Sequence, residues 1–161
     1  QVWGTESNTN STAFAMQTLH GNPVSVAAAT AVLQTISAQR VAHNASTVGG
    51  LLLDGLAKLR QRHPAIGDVR GRGLAIGVEL VADATAKPPS RMLAAKTVFR
   101  AYDPGLVLYY VGLSPNVLEL PPPLVLTREE AAEALAILDR AIGDVEDGRV
   151  SDAAVQDFAG W

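Results

Sequence analysis

The chain has 161 residues, 48% of them hydrophobic, and a formal net charge of −3 from 13 basic and 16 acidic side chains. A chain of this size buries roughly 70% of its unfolded surface in one core, and no stretch gathers Lys and Arg with aromatics as a nucleic-acid surface would. It has no cysteine, hence no disulfide, thiolate metal site or thiol nucleophile, and no apolar run long enough to span a bilayer, so a cytoplasmic protein with no membrane or nucleic-acid partner is expected.

Residues 1–17 are rich in Ser, Thr and Asn and read as loop with at most one short strand. They carry no secretory signal, and a chain opening on Gln1 is expected to be part of a longer polypeptide. Asn22 and Pro23 predict a helix start, the amide oxygen accepting from an early backbone N–H and the proline ring pre-setting φ. Val24, Ala27, Ala28, Ala31, Val32 and Ile36 then recur at helical spacing, with a break or bend expected between Gln39 and His43. A second helix is predicted from about Val41 to Arg62, through Val48, Leu51, Leu52, Leu56 and Leu59, stopping before Pro64.

The period then changes. Leu74, Ile76, Val78 and Leu80 alternate with Ala75, Gly77, Glu79 and Val81, which predicts a half-buried strand with Gly71 and Gly73 as a bulged entrance. Ser90 caps a helix to about Tyr102, ended by Pro104 and Gly105. Two strands follow, Leu106–Val111 and Val117–Leu120, the second stopped by three prolines. Thr127 and Glu130 form a capping box for a last helix that ends near Gly143, and residues 144–161 form an acidic, weakly patterned tail. The order of two helices, a strand, a helix, two strands and a helix predicts an α+β fold, a small sheet covered by helices.

Few residues offer chemistry. Lys58, Lys87 and Lys96 sit in polar helical or loop contexts as surface residues do, and His20, His43 and His63 have no metal spacing, so no metal is expected. Ser25 lacks a nucleophile-elbow setting. Gly71-Arg72-Gly73 precedes a strand, whereas a phosphate loop follows one and opens a helix. Arg70 and Arg72 are expected to anchor the strand entrance to nearby carboxylates. The triplets Asn10-Ser11-Thr12 and Asn44-Ala45-Ser46 match a glycosylation pattern that is common by chance. What remains is TLHGNPVSVAAATAV, Thr18 to Val32, where a hydroxyl lies ahead of a helix start whose partial positive charge and unpaired N–H groups favour an anion.

TLHGNPVSVAAATAVL, VGGLLLDGLAKL, IGDVRGRGLAIGVELV and NVLELPPPLVLT, in this order and over residues 12–143, resemble the C-terminal part of class III aminotransferases, pyridoxal-phosphate enzymes of fold type I. The resemblance implies a remnant of the large cofactor-binding domain over 1–22, an interdomain helix over 23–45, a small C-terminal domain with a short, mainly antiparallel sheet over 46–143, and a tail over 144–161. It also implies pyridoxal 5′-phosphate as cofactor, with Thr18 bonding the phosphate held by the partner subunit of a homodimer or dimer of dimers. The Schiff-base lysine is implied upstream of Gln1, so no catalytic residue is assigned here.

The activity implied is amino-group transfer between an amine or amino acid and a keto acid or aldehyde. Racemisation, epimerisation and decarboxylation within the same family, or a non-catalytic interaction or dimerisation module, stand as alternatives. Many family members place an arginine for a substrate carboxylate in the block that here reads NVLELPPPL, and the matching residue is Glu119. A carboxylate there repels an acidic substrate end by about 4 kcal/mol at about 4 Å and an effective dielectric near 20. A donor with a cationic or hydroxylated end is the corresponding expectation; the alternative is that Glu119 faces solvent or pairs with an arginine.

Overall fold

The computed structural model describes residues 21–156. The chain divides between Gln39 and Arg40 into two units. The first contains α1, Pro23–Ala38, an Ala- and Val-rich helix with apolar residues on every side. Gln39 closes α1, and Arg40 takes a left-handed φ of 51°, a conformation that interrupts the right-handed helix at that residue. The break predicted between Gln39 and His43 lies at this residue, inside the stretch 23–45 expected to link domains.

The second unit is a sheet with helices on one side. Its elements are α2 (Val41–Arg62), β1 (Ile66–Arg72), β2 (Ala75–Leu80), α3 (Arg91–Tyr102), β3 (Tyr109–Val111), β4 (Val117–Leu120), α4 (Arg128–Glu146) and a short 3₁₀ turn, Asp152–Val155. The four strands are antiparallel throughout, in the order β1-β2-β4-β3, with α3 carrying the chain from β2 to the far edge. Helices α2 and α3 lie against the sheet, and α4 packs on both. The predicted alternation holds: Leu74, Ile76, Val78 and Leu80 are buried, and meet Leu52, Leu56 and Leu59 of α2 with Leu118, Leu120, Leu138 and Ile142. Burial of each such side chain contributes roughly 1.5–3 kcal/mol.

Three features differ from the expectation. Residues 66–72 form β1, an edge strand where none was predicted; the glycines placed at a strand entrance instead end β1 and open a hairpin turn. Arg72 pairs with Ala75, leaving Gly73 and Leu74 as the two-residue loop, and Gly73 has the positive φ of 58° that the first position of a type II′ turn requires. The strand predicted over Leu106–Val111 is ordered as β only from Tyr109, because Leu106 and Leu108 turn in to pack on the core. Helix α4 runs past Gly143 to Glu146, and the chain beyond it packs Val150 and Val155 against Val145 and Ala95.

Polar groups hold the layers in register. Buried Asn116 exchanges two bonds of 2.8 Å with the backbone of Leu80, its side-chain amide donating to the Leu80 carbonyl and its own carbonyl accepting from the Leu80 N–H. Asn44 of α2 donates to the carbonyls of Leu124 at 2.8 Å and Leu126 at 3.0 Å. The capping box is present, Thr127 Oγ1 accepting from the Glu130 N–H and Glu130 accepting from the Thr127 N–H. At the other end, His63 is buried between two carboxylates of α4, with Nδ1 2.6 Å from Glu146 and Nε2 2.8 Å from Asp139. Glu146 also accepts the Ala65 N–H at 2.9 Å, and Asp139 also pairs with Arg62 at 3.0 Å.

Burial alone would lower the His63 pKa, but the hydrogen bonds and charges of Asp139 and Glu146 outweigh it and raise the pKa above 6.5. Bonding to His63 lowers Asp139 from 3.8. A raised imidazole pKa contributes stability that is complete below 6.5 and lost as pH rises through the folded value; a lowered carboxyl contributes stability present above 3.8 and lost as pH falls. The melting temperature should therefore be highest between these limits and decline on both sides. His63→Gln should lower the plateau by about 1–3 kcal/mol and abolish the alkaline decline; a scan of thermal unfolding against pH checks both.

A close backbone contact joins α2 to the hairpin. A Cβ on Gly49 would lie 2.1 Å from the Gly73 carbonyl oxygen, which is backbone and cannot step aside, whereas a Cβ on neighbouring Gly50 would meet nothing within 4 Å. Gly49→Ala should destabilise by about 1–3 kcal/mol or more through overpacking, and Gly50→Ala should stabilise by about 0.5–1 kcal/mol through helix propensity. Chemical denaturation of the two variants checks the pair.

Candidate functional site

Two places attract attention, the start of α1 and the open face of the sheet. At α1, Asn22 Oδ1 accepts from the N–H groups of Val24 at 3.0 Å and Ser25 at 3.3 Å, and the Asn22 carbonyl accepts from Val26 at 2.9 Å. Pro23 has no N–H. The N–H groups of Val24, Ser25 and Val26 thus have partners within the chain, and these amides are not open to an anion. An anion ahead of this helix is left to groups that precede Val24; the hydroxyl of Thr18 lies outside the described residues.

The open face presents the residues that alternate with the core set. Asp68 and Arg70 stand on β1, Gly77 and Glu79 on β2, Val117 and Glu119 on β4, and Tyr109 and Val111 on β3. Arg70 donates to Asp68 at 3.0 Å and Glu79 at 2.8 Å, the anchoring role expected of it, while Arg72 is exposed at the hairpin end. Glu119 is half-buried, directly opposite both Gly77 and Tyr109. Partial desolvation, then the neighbouring Glu119 carboxylate, raise the Tyr109 pKa above 10, so the phenol remains protonated at neutral pH.

The lysines do not converge on either place. Lys58 is exposed on α2, Lys87 Nζ donates to the Gly67 carbonyl at 3.2 Å, and Lys96 pairs with Asp152. His43 is exposed, His63 is in its clamp and His20 lies outside the described residues. Among the described residues no group of three His, Cys, Asp or Glu could hold a metal ion. Gly71-Arg72-Gly73 is committed to the hairpin turn and its contact with α2. Tyr109 and Gly77 are brought beside Glu119 by strand register alone, which no single stretch of the sequence contains.

The profile of "Aminotransferase class-III" matches residues 6–142. The chain belongs to the class III aminotransferase family. Among curated relatives it is 43% identical over 144 residues to a leucine/methionine racemase of Thermococcus litoralis, covering 89% of this chain and 32% of that protein. It is 40% identical over 127 residues to a 4-aminobutyrate aminotransferase of Mycobacterium leprae, covering 79% and 28%. Among solved structures, an amine transaminase from an uncultivated Pseudomonas species in its PLP-bound form matches with a TM-score of 0.73 and 33% identity over 84% of this chain and 29% of that one. The chain therefore spans about a third of the length of the curated relatives it matches.

Class III aminotransferases imply pyridoxal phosphate, and the described residues test that implication. Among the described residues no lysine is set in a cavity to anchor an aldehyde, and the amides of Val24, Ser25 and Val26 at the α1 start are already paired. The influence of Glu119 on Tyr109 can be checked directly. The ultraviolet titration of Tyr109, taken as the difference between the chain and its Tyr109→Phe variant, should have a midpoint above 10, and Glu119→Gln should move it back toward 10.

Proposed function

We propose that this chain is the C-terminal part of a pyridoxal-phosphate-dependent aminotransferase that moves an amino group between an amine or amino acid and a keto acid or aldehyde, in the cytoplasm. The observation that carries this reading is the match to class III aminotransferases over residues 6–142, in register with the four-stranded sheet and its helices. Residues 1–22 would belong to the large domain, 23–45 would link the domains, 46–143 would form the small domain and 144–161 its tail. An α1 that is apolar on every side suits a helix covered by protein all round.

Pyridoxal phosphate, when bound, supplies the electron sink for bond breaking at the amino-bearing carbon. Thr18 would donate its hydroxyl to the phosphate bound by the other subunit, in a homodimer or dimer of dimers. Asn22 and Pro23 would fix the helix start that follows, setting where that hydroxyl stands. Glu119 would face the far end of the amino donor, favouring an ammonium or hydroxyl over a carboxylate. Solvent at the half-buried Glu119 screens its charge, so a preference of roughly tenfold, not the full unscreened Coulomb energy, is the expected scale.

One observation favours a second reading. The identity to the leucine/methionine racemase, 43%, exceeds the 40% to the 4-aminobutyrate aminotransferase. Racemisation shares the cofactor and differs in returning the proton to the same carbon. Incubating the full-length enzyme with an L-amino acid in D₂O separates them. A transaminase should require a keto acid acceptor and yield a new amine; incorporation of α-deuterium with inversion and no acceptor would assign a racemase. The 161-residue chain with added pyridoxal phosphate should turn over neither. Glu119→Arg in the full-length enzyme should shift donor preference toward carboxylate-ended amines about tenfold, and unchanged preference would remove Glu119 from the substrate site.

A further inference from the structure

One rung of the sheet crosses all four strands on the open face. Arg70 on β1 is paired with Gly77 on β2, Gly77 with Glu119 on β4, and Glu119 with Tyr109 on β3. Directly paired residues project from the same face, and adjacent strands are about 4.8 Å apart, so Arg70 and Glu119 stand about 10 Å apart along the rung with Gly77 between them. Because Gly77 has no side chain, the floor between them is bare backbone. Val117, on the same face two residues before Glu119, forms one wall: its Cγ1 lies 3.1 Å from where a Cβ on Gly77 would stand.

The two ends of the notch are unlike. On the β1 side, one nitrogen of Arg70 is held by Asp68 at 3.0 Å and Glu79 at 2.8 Å, so its charge is met within the sheet. On the β3 side, Glu119 stands directly opposite Tyr109, a neutral phenol that leaves the carboxylate's charge uncancelled. A group seated over Gly77 thus meets an apolar wall, a carboxylate and a hydroxyl, a combination that accepts a proton donor and rejects an anion.

We propose that Gly77, Tyr109 and Glu119 form one subsite for the far end of the amino donor, an ammonium or hydroxyl group on a short aliphatic chain. Gly77 leaves the seat, Glu119 receives the donated hydrogen, and Tyr109 is a positioning residue that acts through Glu119. This rests on the substrate role proposed for Glu119 and adds to it the side of the sheet from which the substrate comes and the residues that shape its seat.

The test uses the full-length holoenzyme and three donors of similar length: 1,4-diaminobutane, butylamine and 4-aminobutyrate. Tyr109→Phe should reduce the preference for diaminobutane over 4-aminobutyrate about three- to tenfold, through KM with kcat retained, and should add nothing further in a Glu119→Gln background. Gly77→Ala, whose new methyl meets only the end of the Val117 side chain, should raise KM for diaminobutane and butylamine alike while leaving the melting temperature within a few degrees. If Glu119→Gln changes the preference while Tyr109→Phe and Gly77→Ala leave all three donors untouched, the subsite is overturned and the role of Glu119 stands. If Glu119→Gln changes nothing, the underlying substrate reading is overturned and the subsite with it.

Discussion

The bare backbone of Gly49 against the carbonyl of Gly73 sets the geometry on which the other contacts depend. Gly49 on the helix, having no side chain, lets α2 approach the β1–β2 turn more closely than any side chain there would allow, and Gly73 at the hairpin tip supplies the positive φ that the turn needs. With the hairpin tip pinned to the helix, the period of two along β2 decides everything above and below it: Ile76, Val78 and Leu80 face the helices, and Gly77 and Glu79 face away. β4 inherits the same parity through its pairing with β2. A slip of one residue would send Leu118 and Leu120 outward and Glu119 into the core, so the fold cannot tolerate it.

That parity separates the two tasks of the sheet. The inner face is made of branched aliphatic residues and is stabilised by burial; the outer face has charges, a phenol and an empty position. Where the outer face needs only to be soluble, as around Arg70, its charges are paired with one another. Where it departs from that pattern, at Glu119, a half-buried carboxylate stands opposite a neutral phenol and not a cation, and the substrate role proposed for it rests on that departure. The helices have no such departure. Their ionic contacts, including the His63 clamp and the Arg100–Asp144 pair at 2.7 Å, join one helix to another or to the chain that follows.

Much of this was legible from the residues. The caps at Asn22, Ser90 and Thr127, the break at Arg40 and the alternation of β2 are local signals, each written within a few residues. β1 was not legible, for a physical reason: its register shifts between Ile66 and Asp68, so an extra residue, Gly67, interrupts the period of two, and two glycines and three charged side chains leave only Ile66 and Val69 facing the helices. An edge strand that borrows its stability from its neighbour has little pattern of its own. The same holds for the site. Glu119 could be singled out from its place in a block of sequence, but Gly77 and Tyr109 join it only through pairing across strands, a relation between distant segments that no window along the chain contains. The clamp on His63 was hidden likewise, since Asp139 and Glu146 are more than 70 residues away.

The closed first turn of α1 has a thermodynamic consequence. Helices that end in open amides draw part of their order from whatever anion they bind, and they fray when it departs. Here the amides of Val24 and Ser25 are closed by the side chain of Asn22, so their order comes from the chain itself and is the same whether or not an anion stands ahead of the helix.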